Sequence, residues 1–365
     1  MPTIDELIEL FDPRDAYQFT QLIERKRSES TDYDVPFCPM RSFDGREVEL
    51  NVVLGFGAGL APFKADNAST PVAPARGAAQ RQFIELVTIS EKDILKSTDL
   101  LDLASRDPRI RLRSGRDLLA KTLDLRVRNT NRSKWMAWYT AVYGQLPITY
   151  PDGATITVDW DFAGANMNEK IMSGTHLPVA AVAWNHVDGE GVYDAPVIDD
   201  VETWTRRLSD DAGNDPAQTI AHMSTTTFNV LKKNKAIRSE LSTLSPRILT
   251  PTRAEIAEIL GVSEIRLVND FYWDMTNHLT KHKYLPDGKM LLTTPYTLNG
   301  RNIAEMYDGL VARVVGDDIV VSTNPGMVAD IYVNKEAVVK NTRVTTARMV
   351  ILNHPEAFLT ATVWS

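Results

Sequence analysis

Asn51 to Leu86 is a stretch that a compact core cannot easily absorb. It continues an alternating run, Val48-Glu49-Leu50-Asn51-Val52, which reads as a strand with one apolar face. The tip is Gly55-Phe56-Gly57-Ala58-Gly59, followed by Pro62, Pro71, Pro74 and Gly77 among small residues. The chain returns through Phe83-Ile84-Glu85-Leu86-Val87, a second strand-like run. Such an excursion has too little apolar bulk to bury itself. Loops much longer than ~15 residues are uncommon inside a compact domain and usually act on something else. With both arms strand-like, the expectation is an ordered extension that packs on a neighbouring molecule.

A second feature is a long helix. Asp107-Pro108 opens it, with proline at the favoured first position, and Gly144 closes it after Tyr143. At 1.5 Å per residue such a helix is roughly 50 Å long. Gly115 and Asn129-Thr130-Asn131 are the places where it could bend or break. Its basic residues, including Arg109, Arg113 and Arg116, far outnumber Asp107, Asp117 and Asp124. Trp135, Trp138 and Tyr139, at helical spacing, read as core.

The basic helix sits in an acidic whole, since the 365 residues carry a formal net charge of −8. That balance opposes a protein that coats nucleic acid generally. Three readings of the helix stay open: a solvated face, a nucleic-acid site, and a surface that pairs with acidic neighbours of its own kind. The apolar share of 43% is ordinary for a globular protein, and no run approaches the ~20 apolar residues of a membrane span. The acidic N-terminus does not read as a secretory signal. The single cysteine, Cys38, cannot form an internal disulfide or a cysteine metal site; it fits a reducing cytoplasm and reads as a small apolar residue.

Chemistry-bearing motifs are missing. Gly55-Phe56-Gly57-Ala58-Gly59-Leu60 lacks the third glycine of a dinucleotide fingerprint, and Pro62 follows where a helix should open. His278 and His282 have the spacing of helical metal ligands, but Leu279 stands where the catalytic glutamate belongs and Lys281 and Lys283 flank the second. The other histidines are scattered. Asp199-Asp200, Asp210-Asp211 and Asp317-Asp318 read as cap and turn residues. No catalytic residue, metal site or cofactor is expected.

The remaining elements mix without a βαβ rhythm, which makes the fold class α+β. Leu146 to Asp161 reads as a hairpin about Pro151-Asp152-Gly153. Helices are expected at Asp5–Lys26, after Asp199-Asp200, at Thr227–Lys233 and after the capping box Thr252-Arg253-Ala254-Glu255. Strands are expected at Thr219–Met223, Ile265–Val268 and Met290–Leu292, after the turn Pro286-Asp287-Gly288. Further strands fall at Ile319–Val321, Ile331–Val333, Val344–Leu352 and Phe358–Val363.

In this order the elements resemble the major capsid protein of lambda-like tailed phages, which has the Hong Kong 97-type capsid fold. The most family-like strings are Tyr284-Leu285-Pro286-Asp287-Gly288-Lys289-Met290 and Asn353-His354-Pro355-Glu356-Ala357-Phe358-Leu359. The resemblance implies an N-terminal arm over 1–46, an extended E-loop over 47–89 and a peripheral domain over 90–195 with its spine helix at 107–143. It places an axial domain at 196–321 and a return to the peripheral domain over 322–365. It implies a non-enzymatic shell subunit, assembling in the host cytoplasm into hexamers and pentamers of an icosahedral head around double-stranded DNA. Its partners would be other copies, a separate scaffold protein, a portal protein and, in some shells, a decoration protein, without a membrane. Interface residues would be Gly55, Gly57, Gly59, Lys64, Arg76 and Arg81 on the loop and Arg109, Arg113 and Arg116 on the spine helix. Lys64 alone near the loop tip does not predict a covalent crosslink. A same-fold nanocompartment or gene-transfer-agent shell is the near alternative; a soluble nucleic-acid-binding protein is the distant one.

Overall fold

In the computed structural model the helix α1 spans Pro108–Tyr143 as one unbroken element of 36 residues. The Asp107 side chain accepts from the Arg109 backbone N–H at 2.9 Å and caps its start. Gly144, at φ 67°, turns the chain out of it, and its N–H reaches the Thr140 carbonyl at 2.8 Å. A β-carbon there would also collide with the Phe162 ring, so glycine is required twice over. The structure describes residues 33–45, 47–53, 79–95, 98, 101–102, 105–150, 153–163, 172, 174–189, 191–244, 251–274, 280–315, 318–322, 325–334 and 339–364. The expected helix at Asp5–Lys26 lies outside them.

The helix runs unbroken through Asn129-Thr130-Asn131. Asn129 and Thr130 are buried, and Asn129 finds partners on the sheet beneath: its Oδ1 accepts from Thr346 Oγ1 at 2.7 Å and its Nδ2 donates to the Ile89 carbonyl at 3.3 Å. A polar side chain satisfied by a neighbouring element has no reason to compete for its own helix backbone. Gly115 likewise leaves the helix continuous.

Beneath α1 lies a five-stranded sheet of β1 (Met40–Ser42), β4 (Val87–Leu95), β14 (Ala304–Asp308), β17 (Val328–Asn334) and β18 (Val339–Leu352). The 14-residue β18 organises it, pairing antiparallel with β4, β17 and β14. Trp138, Ala141 and Val142 of α1 join Phe37, Met306, Met349 and Val350 in one apolar core. Each large side chain removed from water there contributes about 1.5–3 kcal/mol. Cys38 is fully buried in it, and burial pushes its thiol up to about 12, so it behaves as the small apolar residue the sequence suggests.

A second core surrounds a four-stranded sheet in the order β19-β11-β7-β8: Phe358–Thr362, Lys289–Thr293, Ile220–Met223 and Glu264–Leu267. Helices α2 (Val197–Ala212), α3 (Thr225–Lys233), α4 (Lys235–Leu244) and α5 (Arg253–Ile259) pack on it through Val201, Trp204, Leu208, Phe228, Leu231 and Ile256. The capping box at Thr252 and Glu255 forms in both directions. Strand membership crosses the expected sequence boundaries: β14 belongs to the five-stranded sheet, and β19 pairs with β11 in the four-stranded one. The two cores are therefore tied by strands exchanged between them.

Five hairpins complete the described chain: β2 (Glu47–Val53) with β3 (Ala79–Glu85), β5 (Gln145–Thr149) with β6 (Thr155–Asp159), β9 (Phe271–Asp274) with β10 (Thr280–Lys283), β12 (Thr297–Leu298) with β13 (Arg301–Asn302), and β15 (Ala312–Val315) with β16 (Asp318–Val321). The β5–β6 hairpin is where the sequence places it, with Gly153 at φ 86° in its turn. The β9–β10 hairpin places His282 in a strand, opposite Tyr272. His278 lies outside the described residues.

Candidate assembly surface

The excursion is rooted as a two-stranded ribbon. β2 and β3 pair from Glu47↔Glu85 to Val53↔Ala79. Val48 and Ile84 face each other at the root, each 5% exposed, and Leu86 continues into the core. Gly309 lies so close under Leu86 that a β-carbon there would collide with it. The ribbon is thus anchored at one end. Gly55, Gly57, Gly59, Lys64 and Arg76, between its two strands in the sequence, lie outside the described residues. Arg81 sits in β3 opposite Asn51.

Along α1 the basic residues divide. Arg109 and Arg113 are exposed near its start, and Arg116 lies in the same stretch of helix. Beyond the Asp107 cap the first turn holds no acidic residue, so Arg109 and Arg113 stand near the positive end of the helix dipole. Further along, Arg128 meets Glu91 of β4 at 2.7 Å and Lys121 meets Asp93 at 3.8 Å. Lys134 is buried against Asp34 at 2.5 Å. Several of the later basic residues therefore serve the chain's own fold, whereas Arg109 and Arg113 are exposed.

Sequence reasoning missed the buried charges. Arg348 of β18 grips Asp308 of β14 with two hydrogen bonds of 3.1 Å and donates to Ser133 Oγ of α1 at 3.0 Å. Both side chains of the ion pair are under a tenth exposed. His176 is fully buried between the Phe358 carbonyl at 2.6 Å and Asp211 Oδ2 at 2.7 Å. Asp211 is thus a buried partner and not a turn residue. Asp200, expected at a cap, accepts from the Trp184 indole at 2.9 Å, and burial raises its carboxyl above the usual range. The local sequence carries no signal for these pairs, whose members lie 16 to 40 residues apart.

His222 is buried among Phe37, Trp138 and Tyr296, and burial together with Arg266 holds it down to about 3, so it is neutral. Its Nδ1 has no partner. Among the described residues no group of histidine, cysteine or carboxylate side chains has the arrangement of a metal site. Also among them, no helix is long and apolar enough to cross a membrane. What the surface offers is an anchored ribbon, an outward basic helix end, and exposed apolar side chains on hairpins and loops, which is equipment for contacts between proteins.

Known structures share this arrangement. A capsid protein assigned to a prophage of E. coli CFT073 superposes with a TM-score of 0.54 at 13% identity, covering 94% of this chain and 98% of its own. A phage-related protein from Bordetella bronchiseptica RB50 gives 0.50 at 11% identity, covering 89% and 90%. At such identities the likeness speaks for the fold. No curated protein sequence matches significantly. The family described as phage major capsid protein E matches residues 41–363, almost the whole chain. The chain belongs to that family: it is a structural protein of a phage shell, built on the Hong Kong 97-type capsid fold.

Proposed function

We propose that copies of this chain form hexamers and pentamers, and that these tile a closed icosahedral head around double-stranded DNA. The observation that carries the reading is the family match over residues 41–363, on a chain whose ribbon is anchored at its root and whose basic helix start keeps Arg109 and Arg113 exposed. Each subunit touches several neighbours through modest contacts, so the shell is held by multivalency. In this reading the chain divides into arm, E-loop, peripheral and axial regions, with α1 as the spine helix. The E-loop, with Gly55, Gly57, Gly59, Lys64, Arg76 and Arg81, lies over an adjacent subunit. Arg109, Arg113 and Arg116 meet acidic neighbours. The role is non-enzymatic; assembly takes place in the host cytoplasm with a separate scaffold and a portal protein, and a decoration protein joins outside if at all. DNA is contained without sequence recognition.

Negative-stain microscopy and sedimentation velocity test this directly. Shells, tubes or capsomer rings are the expected outcome, with or without a scaffold candidate. A chain that stays monomeric in both conditions and binds DNA with a steep salt dependence would replace the reading. Reversing Arg113 and Arg116 to glutamate should stop closed shells while the melting temperature holds; normal shells from that variant would remove these arginines from the interface.

A further inference from the structure

The described surface carries two exposed patches of opposite character, one on the β9–β10 hairpin and one beside the edge strand β19. The first is a face of the β9–β10 hairpin. Phe271 pairs across the ribbon with Lys283, and Trp273 with Lys281, so these four side chains share one face. Phe271 is 41% exposed and Trp273 54%. Their rings meet edge to face at 6.1 Å, and the Lys281 ammonium lies 3.5 Å from the Phe271 ring centroid. Lys283 is held by Asp287 at 2.7 Å, whereas Lys281 is held by a ring and not by a carboxylate.

The second patch lies along β19, an edge strand of the four-stranded sheet. Val179 bridges Thr362, and the Trp184 N–H donates to the Val363 carbonyl at 2.9 Å. With Trp184 fully buried, the segment is fixed, yet Val179, Val182 and Val187 are 73%, 38% and 43% exposed. From Ile171 to Thr205 the sequence holds Asp188, Glu190, Asp194, Asp199, Asp200 and Glu202 and no lysine or arginine. One patch is aromatic and basic, the other aliphatic and acidic, and neither is covered by the chain's own described elements.

We propose that the Phe271–Trp273–Lys281 face of one copy docks on the acidic valine segment around Val179–Val187 of the next copy in a ring. The occupant is a second copy because apolar character and charge complement each other on two separate patches of one chain. Two different patches make a head-to-tail contact, which closes into rings or runs on as tubes. Exposed aromatic residues beside a cation have the make-up of an interface hot spot, and the acidic sequence of the valine segment complements the Lys281 charge. The inference rests on the shell reading above and adds to it the surfaces that join neighbours within a ring.

The double variant Trp273→Cys with Val187→Cys tests it, because the only native cysteine, Cys38, is fully buried and silent. Shells or capsomers treated with oxidant or a short bismaleimide should give a ladder of covalent oligomers on denaturing gels, requiring both cysteines. The disulfide forms only if the two backbones approach within about 7 Å. Assembled particles of the double variant that give only monomers, or an internal loop, overturn the contact. Lys281→Glu decides the matter should the double variant fail to assemble. With unchanged thermal unfolding, it should raise the assembly concentration about tenfold or more, and an unchanged concentration overturns the proposal. Wild-type chain that forms neither shells nor rings sinks the shell reading itself, an outcome distinct from shells that do not crosslink.

Discussion

The two halves of α1 carry similar basic content and use it in opposite ways. Residues 108–120 hold four arginines, and residues 121–143 hold five lysines and arginines. In the second half Lys121, Arg128 and Lys134 are spent on Asp93, Glu91 and Asp34, while Arg132 stacks on Trp135 at 4.4 Å. In the first half Arg109 and Arg113 face solvent at the wrong end of the dipole. A helix that needed only its own fold would not place them there. The difference separates residues that hold the subunit together from residues left for other molecules, although composition alone cannot tell the halves apart.

The contrast is broken most severely by Arg348→Ala. It leaves Asp308 buried without its cation and Ser133 without its donor, and should cost about 3–5 kcal/mol in urea unfolding. Replacing both partners, Arg348→Met with Asp308→Leu, should recover most of that, because the desolvation cost of the charges goes with them. If Arg348→Ala unfolds like the wild type, the polar seam under the second half of α1 is not what fixes it.

Acid tests the same half through His222, whose ring lies edge-on to Trp138 at 5.8 Å. Its folded value is depressed to about 3 from an ordinary 6.5, so the unfolded chain takes up a proton where the folded one does not. The contribution is complete above pH 6.5 and is lost as pH falls toward 3, about 2 kcal/mol by pH 5. Glu305 and Asp287, both held low by hydrogen bonds and neighbouring cations, add their own loss in acid. His222→Gln should flatten the part between pH 6.5 and 5 in a series of thermal melts. An unaltered slope would assign the acid sensitivity to the carboxylates alone.

These buried partners mark where the sequence stops being readable. The ends of α1 were legible because Asp107, Pro108 and Gly144 act within one turn of themselves, and so was the capping box at Thr252. The ribbon was legible from alternation on both arms. The β9–β10 hairpin was not, since His278 and His282 offer a spacing that helix and strand both allow, and only pairing with Tyr272 decides it. Asn129 looked like a helix breaker because its partners, Thr346 and Ile89, lie 217 and 40 residues away. Arg348 and His176 likewise depend on residues that only the folded chain brings near. Local chemistry is written locally; the seam between helix and sheet is not.

The smallest effect sharpens the comparison furthest. Arg128 is a basic residue of α1 like Arg113, but its charge is directed inward. It lies 2.7 Å from Glu91 and 3.9 Å from Asp124, with its side chain about one-third exposed. Burial raises the Glu91 carboxyl despite the guanidinium beside it, so desolvation outweighs the attraction and the pair stabilises little. Arg128→Ala should therefore cost no more than about 1 kcal/mol, less at high salt, and should leave shells intact. Reversing Arg113 and Arg116 should do the opposite, sparing the melting temperature and stopping assembly. Loss of shells in Arg128→Ala would mean that the whole basic stripe faces neighbours, and that the boundary near residue 120 is a matter of packing and not of function.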